Sequence, residues 1–361
     1  MLKFYTEKEL YTFDDVCLAP QYSEVSSRKD VSLRHGKLNL DLPIISANMD
    51  SVTEIEMLKI MHGNGALGIL HRFMTLERLK EQVNAFYSHI KDIHSMRRAF
   101  GGPDFNLKDA KKAMALSIGV KQSREFIKEC VDHAGIICID IAHGHSHHSL
   151  ETIRLIRDLS SETIIIAGNV ATPEAVRDLH KAGATIAKIG IGPGSHCSTR
   201  VVTGHGIPQL SAISMCADAA KDLGMEIIAD GGIRSAGDIA KSLAAGADYV
   251  MVGGLLAATD EAPGRIIEID GQKYKEYRGS ASFEAQVSNG REKSEIIAEG
   301  ASQLKRCKGP AKDVLNQLAG GLRSAFSYSG SHTMKEFKEK ARFVRVTSNS
   351  YVEGTPHGLR S

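Results

Sequence analysis

A chain of 361 residues with 42% hydrophobic and 24% charged residues has the balance of a globular protein with ample apolar material for a core. Its formal net charge of +2, without any Lys/Arg run, excludes a nucleic-acid arm. No apolar run nears the roughly 18 residues of a membrane span. The six cysteines (17, 130, 138, 197, 216 and 307) include no C-x-x-C pair, and MLKFYTEKEL is no signal peptide. These features predict a cytoplasmic, reduced protein with no membrane partner, in which a lone loop cysteine is a candidate nucleophile.

In chain order, short apolar, β-branched runs recur: LPIISA (42–47), ALGIL (66–70), AMALSIG (113–119) and GIICID (135–140). TIIIAGNV (163–170), TIAKIG (185–190), EIIAD (226–230) and ADYVMVG (247–253) follow. Their continuous hydrophobicity indicates strands buried on both faces, as in a parallel sheet. Stretches such as TPEAVRDLHKAG and SAGDIAKSLAAG read as helices that start at a Ser/Thr cap and stop at glycine. Eight such units predict a single α/β domain over 1–361, a (β/α)8 TIM barrel, rather than a doubly wound open sheet. The eighth helix, AKDVLNQLAGGLRSAF, follows a long polar connection, so residues 272–310 are expected to form an active-site flap, mobile until ligand orders it.

Barrel active sites gather at the C-terminal ends of the strands. Three glycine-rich loops fall there: GIGPGSHC after strand six, ADGGIRS after strand seven and MVGGLLA after strand eight. Glycine lets backbone N–H groups approach a phosphate, and Ser195 adds a donor. Asp230 either accepts from ribose hydroxyls or caps a helix, and Asp140 is placed to meet ligand at the end of strand four. Two readings of Cys197 stand side by side: a packed thiol in a turn, or a nucleophile beside a bound anion. Cys17, Cys130, Cys138, Cys216 and Cys307 fit the packed reading. His196 and His205 flank the thiol as candidates to lower its pKa, or as solvated loop residues. His143, His145, His147 and His148 have no clear acidic or cysteine partner, which argues against a metal centre.

GIGPGSHCSTR closely resembles the active-site loop of the IMP dehydrogenase/GMP reductase family, usually Cys-Thr-Thr where this chain has Cys-Ser-Thr. The resemblance continues in order through FDDVCLAP, SANMDSVT, IDIAHGHS, AGNVATPEAV, ADGGIRSAGDIAKSLAAGAD, YRGSAS and GGLRSAFSYSG. The interval 70–112 is too short for the paired CBS domains that most IMP dehydrogenases insert there. The resemblance implies a purine nucleoside monophosphate substrate, with Cys197 attacking carbon 2 to form a covalent thioimidate. It implies phosphate contacts from Ser195, Gly232, Gly253, Gly254 and Tyr277, and ribose contact from Asp230. Ser46 and Met49 would line the nucleotide site, and Asp140 the nicotinamide side, with NADP(H) or NAD(H) as cofactor. Carbonyls of Gly192, Gly194 and Cys197 match a monovalent-cation (K+) site, and family members are typically homotetramers.

The direction of reaction turns on small differences. Dehydrogenases carry an Arg-Tyr pair some 12 to 14 residues before an acid on the flap; here those positions lie within AQV. Arg291 has no tyrosine beside it. Thr199 and Glu299 match the reductase pair that protonates the departing amine, and ANMD, ILHRF and KEYRGSAS are reductase-like. Ser280 and Ala301 depart from the family pattern. The expectation is GMP reductase, converting GMP and NADPH to IMP, ammonia and NADP, with IMP dehydrogenase (IMP to XMP with NAD) as the alternative. A catalytically inactive nucleotide-binding regulator would show damage at Cys197, Thr199 or Glu299, and all three are present. A phosphosugar isomerase would have no need of the loop cysteine.

Overall fold

The computed structural model describes residues 4–6, 8–98, 106–279, 282 and 300–354. All eight apolar runs form strands: β1 (Ile44–Ser46), β2 (Leu67–Gly68), β3 (Ala115–Ile118), β4 (Ile136–Asp140), β5 (Ile164–Val170), β6 (Ile186–Ile189), β7 (Glu226–Asp230) and β8 (Tyr249–Val252). They pair in the order β2-β1-β8-β7-β6-β5-β4-β3, every pair parallel. The Leu70 N–H donates to Ala115 O (3.0 Å) and the Ser117 N–H to Leu70 O (2.9 Å), so the ends of the sheet meet. That closure makes the sheet a (β/α)8 barrel and removes the open-sheet alternative.

The helices begin and end where the caps predict. Thr172 caps Pro173–Ala182, whose C-cap Gly183 takes a left-handed φ of 109°. Ser235 caps Ala236–Ala244; the cap runs through Ala245, and Gly246 takes the positive φ of 112°. The last barrel helix spans Ala311–Tyr328. Between β2 and β3 the chain forms the helices Leu76–Arg98 and Leu107–Ala113.

Outside the barrel stands a three-stranded antiparallel sheet of β9 (Ile267–Ile269), β10 (Gln272–Arg278) and β11 (Ser302–Arg306). The described part of the expected flap is therefore this ordered base. Residues 283–299, and with them Glu299, lie outside the described residues. A strand at Val16–Leu18 pairs with Phe343–Arg345, joining the two ends of the chain. Among the described residues no helix is long and apolar enough to cross a membrane. All six cysteines are free: Cys130, Cys138 and Cys216 are packed, as expected, but Cys17 is exposed and Cys307 half-buried. Cys17 lies in the two-stranded sheet outside the barrel, where successive side chains alternate between core and solvent.

Candidate active site

The loop that carries Cys197 begins at Gly190, directly after β6. Gly190 (φ 149°) and Gly192 (φ 88°) adopt backbone that a side chain would strain. The loop then turns, with the Cys197 N–H donating to Gly194 O at 3.0 Å. Cys197 is exposed, and its thiol donates to Thr199 Oγ1 at 3.1 Å. Thr199 opens the short helix Thr199–Thr203. Residues leading into β11 dock on this loop: Cys197 bridges Gly300, and the Ala301 N–H donates to His196 O at 3.0 Å. Arg278, closing β10, is tied to Asp50 beyond β1.

Cys197 opens onto a cavity of about 480 Å³ at the C-terminal end of the barrel. Its lining includes Ser195, Gly232, Gly253, Gly254 and Tyr277. The N–H groups of Gly232, Gly253 and Gly254 donate to no other backbone carbonyl among the described residues. A Cβ on Gly253 would come within 2.8 Å of the Tyr277 hydroxyl, so glycine is needed for that approach. Unspent amides beside a hydroxyl and a buried phenol can hold an anion.

The cavity lining also carries charge. Lys188, on β6 and only 2% exposed, donates to Asp140 (3.1 Å), Asp230 (3.0 Å) and Asn169 Oδ1. Burial opposes its charge, but the two carboxylates outweigh burial and raise its pKa. Burial likewise pushes the Asp140 carboxyl up, while Lys188 and Arg72 outweigh it and hold the pKa low. Asp140 therefore faces the cavity ionised, and Asp230 lines the cavity within reach of the Lys188 ammonium. Arg72 Nε lies 3.7 Å from Asp140 Oδ2 and is buried without a hydrogen-bond partner among the described residues.

Each expected residue can now be placed. Met49, Asp140, Ser195, Asp230, Gly232, Gly253, Gly254 and Tyr277 line the one cavity with Cys197 and Thr199. Ser46 lies beneath it, fully buried, accepting from the Thr53 hydroxyl at 2.8 Å, while its neighbours Ala47 and Asn48 reach the wall. Gly192 and Gly194 also line the cavity, but the Gly194 carbonyl is bonded within the turn. A carbonyl that accepts one hydrogen bond keeps a second lone pair, so this bond does not count against the three carbonyls as cation ligands, and no step below runs through a cation.

His196 is buried against Tyr277, ring centroids 4.2 Å apart, and its Nδ1 meets Ser195 Oγ at 3.0 Å. Burial, and then the charge of Lys305, lower its pKa, so it orients Ser195 as a neutral ring and brings no cation to the thiol. His205 is exposed and bonds Thr203 O. Among the four clustered histidines, His145 pairs with Asp178 (2.8 Å) and His147 with Glu151 (3.0 Å). Lys188 and Arg72 were not singled out in the sequence. A lysine inside the apolar run TIAKIG was the available signal, because lysine is seldom buried unless paired.

Fold and site define a class: a (β/α)8 barrel whose ligand cavity carries an exposed cysteine in a glycine-rich loop. Residues 10–357 match the model of the IMP dehydrogenase / GMP reductase domain. The chain is 34% identical to inosine-5′-monophosphate dehydrogenase of Methanocaldococcus jannaschii, covering 99% of this chain and 97% of that one. It is 33% identical to GMP reductase of Leishmania donovani, covering 98% of each. Among solved structures, a cysteine-to-alanine variant of Trypanosoma brucei GMP reductase in complex with guanosine 5′-monophosphate superposes with a TM-score of 0.86, at 31% identity and 98% coverage of both chains. The chain belongs to the IMP dehydrogenase/GMP reductase family and is an oxidoreductase.

Proposed function

We propose that this protein is a GMP reductase that converts GMP and NADPH to IMP, ammonia and NADP. The observation that carries the reading is the contact of the Cys197 thiol with Thr199 Oγ1 on a loop bridged to Gly300, the residue after Glu299. That arrangement pairs a nucleophile with a proton path, as expulsion of an amine requires. GMP enters with its phosphate on the amides of Gly232, Gly253 and Gly254 and on Ser195 and Tyr277. Its ribose meets Asp230, which Lys188 holds in place by a 3.0 Å contact. Cys197, as thiolate, adds to carbon 2; the amine leaves as ammonia, taking its proton through Thr199 and Glu299. A covalent bond to carbon 2 divides one difficult displacement into two easier steps.

A nicotinamide fits the same cavity beside Arg72 and Asp140, where the Arg72 Nε donor, without a hydrogen-bond partner among the described residues, and the Asp140 carboxylate can meet both sides of a carboxamide. Bound there, a reduced dinucleotide supplies the hydride to carbon 2, after which the thiolate departs and IMP is released. The flap closes the cavity to water, which otherwise diverts the covalent intermediate. Assembly as a homotetramer of the 39.1 kDa chain belongs to the same reading, and light scattering checks it.

Near-equal identity to a dehydrogenase and a reductase supports a second reading, oxidation of IMP to XMP with NAD. Absorbance at the nicotinamide band separates the two. Loss of NADPH with GMP, with ammonia released, is the expected result. Formation of NADH from IMP, with no GMP-dependent oxidation, assigns the dehydrogenase instead. Cys197→Ala is expected to abolish whichever activity is present, and turnover retained in that variant removes the covalent mechanism.

A further inference from the structure

The anion cradle described above is built from neutral donors: amides, a hydroxyl and a phenol. A 5′-phosphate brings about two negative charges at neutral pH, by analogy with protein phosphate esters. Beside the cradle, on β11 and just after it, stand two lysines that the chemistry above does not use. Lys305 Nζ donates to Gly254 O at 3.0 Å and lies 5.0 Å from the Tyr277 ring centroid. Lys308 Nζ donates to the same carbonyl at 2.7 Å and to Leu255 O at 3.0 Å.

We propose that Lys305 is a phosphate-binding residue of this site, giving the cradle its formal positive charge and favouring the phosphorylated nucleotide over the nucleoside. The proposal rests on the nucleotide reading of the cavity and deepens it. Its basis is the space beside Gly254. A side chain built there would find Lys305 Nζ at 3.1 Å, the Tyr277 ring edge at 3.7 Å and Ser195 Oγ at 3.8 Å. The ammonium therefore borders the same small volume as two groups of the cradle, and glycine at 254 leaves that volume open. A carbonyl uses one of the three ammonium donors and leaves two for an incoming oxygen.

The electrostatics agree with the geometry. Among the described residues neither lysine has a carboxylate within ion-pair distance. Burial pushes Lys305 below the usual lysine range, and burial with the charge of Lys305 brings Lys308 down to about 8. Two neighbouring cations without a counter-ion are unfavourable in the free protein, and an arriving dianion relieves that cost. A charge-assisted bond from Lys305 to a phosphate oxygen is stronger than the neutral bonds around it.

The test compares wild type with Lys305→Met and Lys305→Arg. It measures kcat, KM for nucleotide and for dinucleotide, and the affinity for inorganic phosphate by calorimetry. Lys305→Met is expected to raise the nucleotide KM and weaken phosphate binding by about tenfold or more, with kcat and the dinucleotide KM nearly unchanged. Lys305→Arg is expected to recover most of the loss, because it restores the charge. Unchanged nucleotide KM and phosphate affinity in Lys305→Met overturn the proposal. So does a fall in kcat and melting temperature accompanied by a parallel rise in both KM values, which marks a tether for Gly254 and nothing more. Phosphate binding by wild type that Lys305→Met weakens, in a protein that turns over neither GMP nor IMP, keeps the lysine and rejects the nucleotide reading instead.

Discussion

At the scale of single residues, surroundings rather than side-chain type set Cys197 apart. Burial pushes the Cys130, Cys138 and Cys216 thiols up to about 12, so they stay protonated and shielded at neutral pH. Iodoacetamide is expected to label Cys197 and the exposed Cys17 and to spare those three in the folded protein. Loss of activity should follow Cys197 labelling alone, and nucleotide should protect it; full activity with Cys197 alkylated, read by peptide mass spectrometry, contradicts this assignment. Lys188 acts at the same scale. Lys188→Met leaves Asp140 and Asp230 facing each other without their cation, which is expected to destabilise the protein by about 3–5 kcal/mol in chemical denaturation. The Asp140 carboxyl, which Lys188 helps to hold low, then protonates more easily, so the acid limb of kcat/KM moves to higher pH.

At the scale of elements, local chemistry was well written in the sequence. Thr172 and Ser235 announced their helices, and the continuous apolar runs announced strands buried on both faces. The glycines divide by what surrounds them. A Cβ at Gly190 would sit 1.9 Å from Asp230 O at a φ of 149°, so Gly190→Ala is expected to cost about 2–4 kcal/mol and to disturb the Cys197 loop. Gly237 lies exposed in the helix Ala236–Ala244, and its nearest prospective contact is Ser235 Oγ at 3.5 Å. Gly237→Ala is expected to stabilise by about 0.4–1 kcal/mol. Thermal melts of the pair check both signs. The three-stranded sheet at 267–306 was not legible as strands, because β10 and β11 mix charged and polar residues on a surface with little apolar alternation.

At the scale of the whole molecule, long-range polar contacts fasten the termini to the barrel. Asp248, leading into β8, meets His35 (2.9 Å), Lys338 (2.6 Å) and the Ile227 N–H (2.9 Å). Burial pushes its carboxyl up, but the His35 and Lys338 contacts outweigh burial and hold the pKa below 3.8. Because the folded pKa is depressed, this contribution is fully present above the unfolded value and is lost as pH falls through the folded one. Wild type is therefore expected to lose stability on acidification below about pH 4. Asp248→Asn should be less stable at neutral pH by about 1–3 kcal/mol and show a shallower acid limb. Urea midpoints from neutral to about pH 3 measure the difference, and parallel limbs would remove Asp248 from the acid response.

The sequence by itself determined the eight-unit barrel, the helix caps, the glycine loops at the strand ends and the cysteine among them. Those features are local: strand burial, capping and loop flexibility each depend on residues within a few positions of one another. The family resemblance extended this to named roles, and most of those residues do meet in one cavity. Only the tertiary structure decided the partners. Lys188 reaches Asp140 and Asp230 across 48 and 42 positions, Arg278 reaches Asp50 across 228, and Val16 pairs with Arg345. It also turned His196 into a neutral, buried ring and set Lys305 beside Gly254. A linear pattern records which side chains will be buried, but charge pairing depends on which strand ends a closed ring brings together.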